Sequence, residues 1–305
     1  MGNSSNNQNK TDYISRINNV LDYIENNIDK DFSLDDLAAE SHFSKYHFSR
    51  IFNAMIGETP FKFIKRVRLE KAATRLRLYL DKTVTETALE CGFNDLSVFS
   101  RNFSDFFGKS PTEWQKCNSE KSNYSQTFVF PDSYIDSEQY RNHNMEALRS
   151  EEVRDIPDQT VAYIRHTGPY KGDEELFNEL FNRLFSWASS QGLLGQHNAA
   201  PLVIYHDDPC VTEKEKLRMS VCLPVSPETS VSGEIGKVKL SGGRFLVARF
   251  EIAPQEMPNA WQWIYGTWFP SSGYQPADAL PFEVYPEPSS DGKLLVDICV
   301  PLKPL

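Results

Sequence analysis

Between Tyr13 and Cys117, apolar residues return every three or four positions, which is the helical period. Tyr13, Ile17, Val20, Leu21, Ile24 and Ile28 mark a first amphipathic helix. Ser33 is placed to cap a short helix carrying Leu34, Leu37 and Ala38, with Asp35 and Asp36 suited to its first turn. Ser44 is placed to cap a third helix, on which Phe48, Ile51, Phe52 and Met55 share a face and which Gly57 ends. Pro60 opens a longer helix to about Tyr79, with Phe61, Ile64, Val67, Leu69, Ala72, Ala73 and Leu76 inward. Beyond residue 150 the period becomes mixed. VAYIRH (161–166), PLVIYHD (201–207), LRMSVCLPV (217–225), GGRFLVARFEI (242–252), PFEVY (281–285) and LLVDICVPL (294–302) read as strands. Leu176–Trp187 and the stretch around Ala260–Phe269 read as helices.

Each half is internally repeated. At an offset of 51, Phe48/Phe99, Ser49/Ser100, Arg50/Arg101, Phe52/Phe103, Gly57/Gly108 and Pro60/Pro111 are identical pairs. At an offset of 50, Ala38/Ala88, Glu40/Glu90 and Phe43/Phe93 match as well. The unit is a short helix, a tight turn (Ser41-His42 or Cys91-Gly92) and a longer capped helix, with Asp95 as the second cap. This is a helix-turn-helix, twice. In the other half, Trp187 to Gly192 recurs as Trp268 to Gly273 at offset 81, and Pro201 and Tyr205 recur as Pro281 and Tyr285 at offset 80. Val221, Cys222 and Pro224 match Ile298, Cys299 and Pro301 at offset 77. The expected fold is therefore multidomain. An all-α double helix-turn-helix domain precedes an α+β domain of duplicated strand–helix–strand–strand units, with a curved antiparallel sheet and a central concavity. The expected boundaries are a disordered polar tail over 1–10, the helical domain over 11–117, a linker over 118–149 with a short strand at Gln126–Phe130, and the α+β domain over 150–305.

Composition changes this picture only when it is divided. The 305 residues carry a net charge of -10, which taken alone argues against a nucleic-acid partner. The excess lies entirely beyond residue 117. Residues 1–117 carry 16 basic and 16 acidic residues. Within them, residues 44–82 hold ten basic side chains against Glu58, Glu70 and Asp81. Such a stretch can meet phosphates on an acidic chain. No apolar run reaches membrane length, and MGNSSNNQNK lacks the apolar core of a secretory signal. Cys91, Cys117, Cys210, Cys222 and Cys299 are scattered and form no CxxC pair, which fits reduced thiols in a cytoplasm. The six histidines show no metal spacing, so neither metal nor cofactor is expected.

In a helix-turn-helix the second helix enters the major groove and its N-terminal residues meet base edges. The outward positions are Lys45, Tyr46, Ser49 and Arg50 in the first copy, and Leu96, Ser97, Ser100 and Arg101 in the second. Arginine suits bidentate contact with guanine. A fold repeat needs only its core residues repeated, so the duplicated outward arginines point to double-stranded DNA. The stretch ECGFNDLSVFSRNFSDFFGKSPTEW (Glu90–Trp114), the matching FSKYHFSRIF (43–52) and the linker helix RLEKAATRL (68–76) resemble the DNA-binding domain of AraC/XylS-type transcription regulators. Leu96 and Val98 depart from the polar residues many relatives carry there, so apolar contact with a thymine methyl enters the expected base code.

Offset 80 sets Glu283 where the first copy has Val203. A carboxylate within an apolar strand, beside Phe282 and Tyr285, is costly unless it is hydrogen-bonded or paired. Aromatics are dense nearby, and an aromatic cage with one carboxylate suits a lipophilic cation. VAYIRHTGPY (161–170), WQWIYGTWFPSSGYQP (261–276) with PFEVY, and VDICVPLKP (296–304) resemble the GyrI-like effector-binding domain. That resemblance implies an effector pocket floored by Glu283 and lined by Tyr163, Tyr170, Trp268 and Tyr285. The combined order resembles Rob-type activators. It implies a cytoplasmic, ligand-responsive transcription regulator, coupled through linker order or through a surface that meets RNA polymerase. An enzyme hydrolysing small electrophiles with Glu283 as base is the alternative. A DNA-architectural protein whose second half binds another protein is a third.

Overall fold

The two helix-turn-helix units are built to one plan and closed by the same chemistry. The computed structural model describes residues 2–79, 81–120, 147–194, 200–287 and 291–304. The first unit pairs α2 (Leu34–Glu40) with α3 (Lys45–Ile56), and the second pairs α5 (Val84–Glu90) with α6 (Leu96–Phe107). Ser33 and Asp36 form a capping box on α2, and Thr83 and Glu86 form the same box on α5. His42 (φ 54°) and Gly92 (φ 76°) make the left-handed step after each short helix. Phe43 N then donates to Ala38 O at 3.2 Å, and Phe93 N to Ala88 O at 3.0 Å. Asp95 caps α6 by accepting from Ser97 N and Val98 N, whereas Ser44 makes no side-chain bond to the start of α3. Gly57 and Gly108 end the two longer helices in the left-handed region.

Three further helices complete this unit: α1 (Gly2–Asn26), α4 (Pro60–Leu78) and α7 (Pro111–Glu120). The structure carries α1 back to Gly2, into residues expected to be a disordered tail. Extending a formed helix adds a hydrogen bond per residue fixed, whereas starting one does not. Ile17, Val20, Leu21 and Ile24 of α1 pack with Phe48 and Phe52 of α3. Phe99 and Phe103 hold the equivalent buried positions in α6. Each such ring contributes about 1.5–3 kcal/mol by burial. On α4, Phe61 is 50% exposed and Phe63 is the buried ring at 1%. The assignment of Phe61 to the interior is thus corrected, because the helix phase places residue 63 toward α3.

The basic stretch also changes meaning. Arg66, Arg75 and Arg77 are buried. Arg66 bonds Glu58 (2.6 and 2.9 Å) and Glu70 (2.8 Å). Arg68 Nε donates to Ile28 O at 2.9 Å and Nη1 to Gly92 O at 2.8 Å, while Nη2 donates to Lys30 O. These cations link the repeats to α4 instead of facing outward. A central helix touched from several sides uses guanidinium forks to satisfy carbonyls and carboxylates that would otherwise be buried alone.

The chain divides into two compact units, Met1–Glu120 with Val231–Gly236, and Lys121–Ser230 with Lys237–Leu305. The predicted strand at Gln126–Phe130 and most of the linker lie outside the described residues. The second unit is a nine-stranded antiparallel sheet. Its strands are β1 (Leu148–Ile156), β2 (Gln159–Thr167), β3 (Leu202–Tyr205), β4 (Arg218–Pro224), β5 (Gly236–Leu240), β6 (Gly243–Ile252), β7 (Tyr274–Pro276), β8 (Phe282–Val284) and β9 (Leu294–Pro304). The order β1-β6-β9-β8-β3-β4-β2-β5 is symmetric about the β8–β3 pair, with β7 attached to β9. The duplicated unit is therefore β2-α8-β3-β4, with α8 at Glu174–Ser190, answered by β6-helix-β8-β9. The second helix is broken into α9 (Met257–Trp263), a π-turn (Ile264–Trp268) and α10 (Phe269–Ser272).

Candidate functional site

Two sites emerge, one in each unit. On α3, Lys45, Tyr46 and Arg50 are exposed and Ser49 is half-buried. On α6, Leu96, Ser97 and Arg101 are exposed and Ser100 is half-buried. The eight positions expected to meet DNA thus lie on the solvent side of their helices, with the phenylalanine pairs holding the opposite side. The guanidinium of Arg50 lies 4.3 Å from the Tyr46 ring centroid, so the arginine is held against an aromatic face before any partner arrives. Lys45 meets Asp35 of α2 at 2.5 Å, across an exposed and therefore weak ion pair.

In the second unit, Glu283 is 1% exposed on β8. It pairs with Val203 of β3 on one side and Ile298 of β9 on the other. Tyr205 Oη donates to Glu283 Oε2 at 2.6 Å and Tyr285 Oη donates to the same oxygen at 2.7 Å. Trp261 Nε1 donates to Oε1 at 2.6 Å. All three donors are neutral, so the carboxylate is hydrogen-bonded but its charge has no counter-ion among them. Burial pushes the Glu283 carboxyl above the ordinary value of 4.5, opposed by its bonds from Tyr205, Tyr285 and Trp261. Burial also drives the Tyr205 and Tyr285 phenols well above 10, with the nearby Glu283 charge adding to it, so both stay protonated donors.

Aromatic rings continue outward from this carboxylate. The Tyr170 ring lies 5.6 Å from Tyr205, and Tyr205 meets Trp261 edge-on at 6.1 Å. Trp261, Tyr265 and Phe269 then stack at 6.2 and 5.3 Å. The Tyr170 phenol is pushed up by burial and by the charges of Asp207, Glu283 and Asp208. A buried carboxylate held by three neutral donors and set among π faces is matched chemically to a cation with apolar bulk.

Of the expected pocket residues, the structure gathers Tyr170 and Tyr285 with Glu283 and separates two others. Tyr163 pairs with Cys222, which pairs with Leu202, which pairs with Val284. Directly opposed residues share a face, so Tyr163 lies on the other side of the sheet, packed with Phe245 and Phe282. Trp268 stacks on Tyr274 at 6.2 Å within the apolar core and does not bond Glu283. Seven residues are nearly two helical turns, so Trp261 and Trp268 would share a face on a continuous α-helix. The π-turn, closed by Phe269 N donating to Ile264 O, winds wider and shifts the later tryptophan away. Sequence reasoning missed Tyr205 and Trp261. Tyr205 had a signal, since it is the repeat partner of Tyr285.

Residues 151–303 match the GyrI-like small molecule binding domain. The chain belongs to the GyrI-like family. Ahead of its GyrI-like domain, residues 37–116 match a helix-turn-helix domain of the AraC type. The TetD protein of transposon Tn10 (Escherichia coli) is 37% identical over 100 residues, covering 33% of this chain and 72% of that protein. An HTH-type transcriptional regulator of Staphylococcus aureus is 26% identical over 208 residues, which is 65% of this chain but only 26% of the regulator. Among solved structures, a probable AraC family transcriptional regulator from Rhodopseudomonas palustris is 34% identical, with TM-score 0.32 over 34% of this chain and 96% of that one. Several relatives, the Staphylococcus aureus protein among them, carry the names of transcription regulators, and no described helix is long and apolar enough to cross a membrane.

Proposed function

We propose that this GyrI-like protein is a one-component transcription activator that reads two adjacent major grooves with α3 and α6. Lys45, Tyr46, Ser49 and Arg50 meet one groove, and Leu96, Ser97, Ser100 and Arg101 the next, about one helical turn (~34 Å) away. The DNA-binding domain is residues 11–117 and the effector domain residues 150–305. A cationic, aromatic or lipophilic small molecule binds at Glu283, bounded by Tyr170, Tyr205, Trp261 and Tyr285. Effector and DNA are coupled through their differing affinities for two states of the protein, with RNA polymerase as the partner acted upon. The protein acts in the cytoplasm, where its DNA is.

The observation that carries the effector reading is the fully buried carboxylate held by three neutral donors. Both of its oxygens are occupied, which favours binding over general-base turnover. The test is selection of bound DNA sequences by the full chain, with and without a panel of cationic amphiphiles. A single enriched motif whose occupancy shifts with a cation is expected, and Glu283→Gln should abolish the shift while leaving DNA affinity intact. Enrichment of no motif sinks the DNA reading. An effector titration unaltered by Glu283→Gln removes Glu283 from the site.

A further inference from the structure

The two helix-turn-helix copies share a backbone but not a surface chemistry. At offset 51, Leu96 and Val98 stand where the first copy has Lys45 and His47. Leu96 is 42% exposed and Val98 37% exposed. Single exposed apolar residues are ordinary on protein surfaces. These two share the first turn of α6, the part of a second helix that approaches base edges. Val98 lies one turn before exposed Arg101, and Leu96 one turn before Ser100.

The start of α6 is also poorly suited to a phosphate. The Asp95 carboxylate accepts from Ser97 N at 2.7 Å and from Val98 N at 3.0 Å. Two of the amides that could face an anion are therefore taken, and the group that takes them is itself negative. In α3, Ser44 makes no such bond and Lys45 follows it. Among the groups displayed in the major groove, the thymine C5-methyl is the apolar one.

We infer that α6 reads thymine by apolar contact of Leu96 and Val98 with its C5-methyl group, while α3 reads by charge and hydrogen bonding. The inference rests on the DNA-reading role proposed above. It makes Leu96 and Val98 specificity-determining residues, with Arg101 supplying the polar contact beside them.

The experiment begins with selection on synthetic, unmethylated duplexes by the full chain, so that thymine is the source of any methyl. Positions whose base preference relaxes in Arg101→Ala belong to α6, and those that relax in Arg50→Ala belong to α3. Each thymine in the α6 positions is then replaced by deoxyuridine, which keeps base pairing and removes one methyl. Binding should weaken about fourfold at one or two positions, the value of a buried methyl-sized group. In the Leu96→Ser, Val98→Ser double variant this penalty should vanish. An unchanged preference at the α3 positions shows that the variant is folded. The inference is overturned if no α6 position carries thymine, if uracil there leaves affinity unchanged, or if the penalty persists in the double variant. Each of these three results leaves the DNA-reading role standing. Failure to select any sequence removes both.

Discussion

Val203 and Glu283 face one another directly across the β3–β8 pair, and they hold equivalent positions in the two copies of the repeat. The approximate dyad of the domain therefore passes between an aliphatic residue and a buried acid. The same asymmetry appears on the helices. The offset of 81 places Leu180 and Leu184 of α8 where the other copy has Trp261 and Tyr265. Both leucines are buried. On the helices one copy is thus aliphatic at these positions while the other supplies the stacked rings, and Tyr170 and Tyr205 of the first copy reach the Glu283 charge supplied by the second. Duplication provides the frame, and divergence at a few facing positions makes the site.

Tyr205 and Tyr285 both donate to Glu283 Oε2, at 2.6 and 2.7 Å. Phenylalanine at either position keeps the ring and removes one bond to the anion. Hydrogen bonds to charged groups are worth about 1.5–3 kcal/mol. Tyr205→Phe and Tyr285→Phe should each raise the Glu283 carboxyl pKa further and weaken a cationic effector near neutral pH. Calorimetric titration across pH checks this. Wild-type affinity and pH profile in both variants would show that the bonds do not tune the carboxylate.

Much of the helical unit was legible because its information is local. Caps, glycine stops and the offset of 51 each follow from short-range geometry. Phe61 is exposed and Phe63 takes the inward row because the rows on α4 are chosen by tertiary contact. In the sheet, the repeat offset of 80 sets Glu283 apart from its counterpart Val203, but the pairing of β2 with β4 decides which face Tyr163 takes. The resemblance implies Trp268 at the pocket, and nothing in the composition of IYGTW announces the π-turn that brings Trp261 there instead. The buried arginines show the same limit, since charge counts cannot separate a phosphate contact from an internal strut such as Arg66.

Arg50 and Arg101 occupy equivalent exposed positions on α3 and α6. Alanine at either should cost roughly 1–3 kcal/mol at a specific site in buffer of fixed salt. Lysine should not restore the loss, because a point charge cannot form the paired bonds of a guanidinium. Tyr46→Ala should weaken the site less than Arg50→Ala, since it removes the ring that holds the arginine and Tyr46's own groove contact but keeps the guanidinium. Specific-site affinity unchanged in both arginine variants would overturn the assignment of these helices.

Gly92 joins the second repeat to the rest of its unit. It has φ +76°, and a Cβ there would lie 2.7 Å from both the Ile28 carbonyl oxygen and the Arg68 guanidinium. Gly92→Ala combines a disfavoured backbone with a clash against main chain that cannot turn away. A loss of stability of about 2–4 kcal/mol is expected. Arg68→Met removes the donors to Ile28, Lys30 and Gly92 and should act in the same direction. Urea denaturation of both variants provides the measurement. A wild-type midpoint for Gly92→Ala would mean that the turn relaxes freely.

Burial raises the Glu283 carboxyl in the folded chain above its ordinary value of 4.5. Between that value and the higher folded one, the folded state keeps a proton that the unfolded state has released. Unfolding then releases protons, so this residue makes stability fall as pH rises through the window. Its favourable contribution is fully present below 4.5 and is lost as pH passes the folded value. Glutamine at 283 does not titrate, so the difference in unfolding free energy between Glu283→Gln and wild type should shift in favour of the variant as pH rises. Other titrating groups cancel in that difference. A cationic effector favours the ionised carboxylate, so its binding should release a proton within the same window and tighten with rising pH. Urea unfolding of both proteins from pH 4.5 upward tests the first expectation, and calorimetry in buffers of different ionisation enthalpy tests the second. Parallel stability curves for the two proteins would show that the folded environment does not shift Glu283.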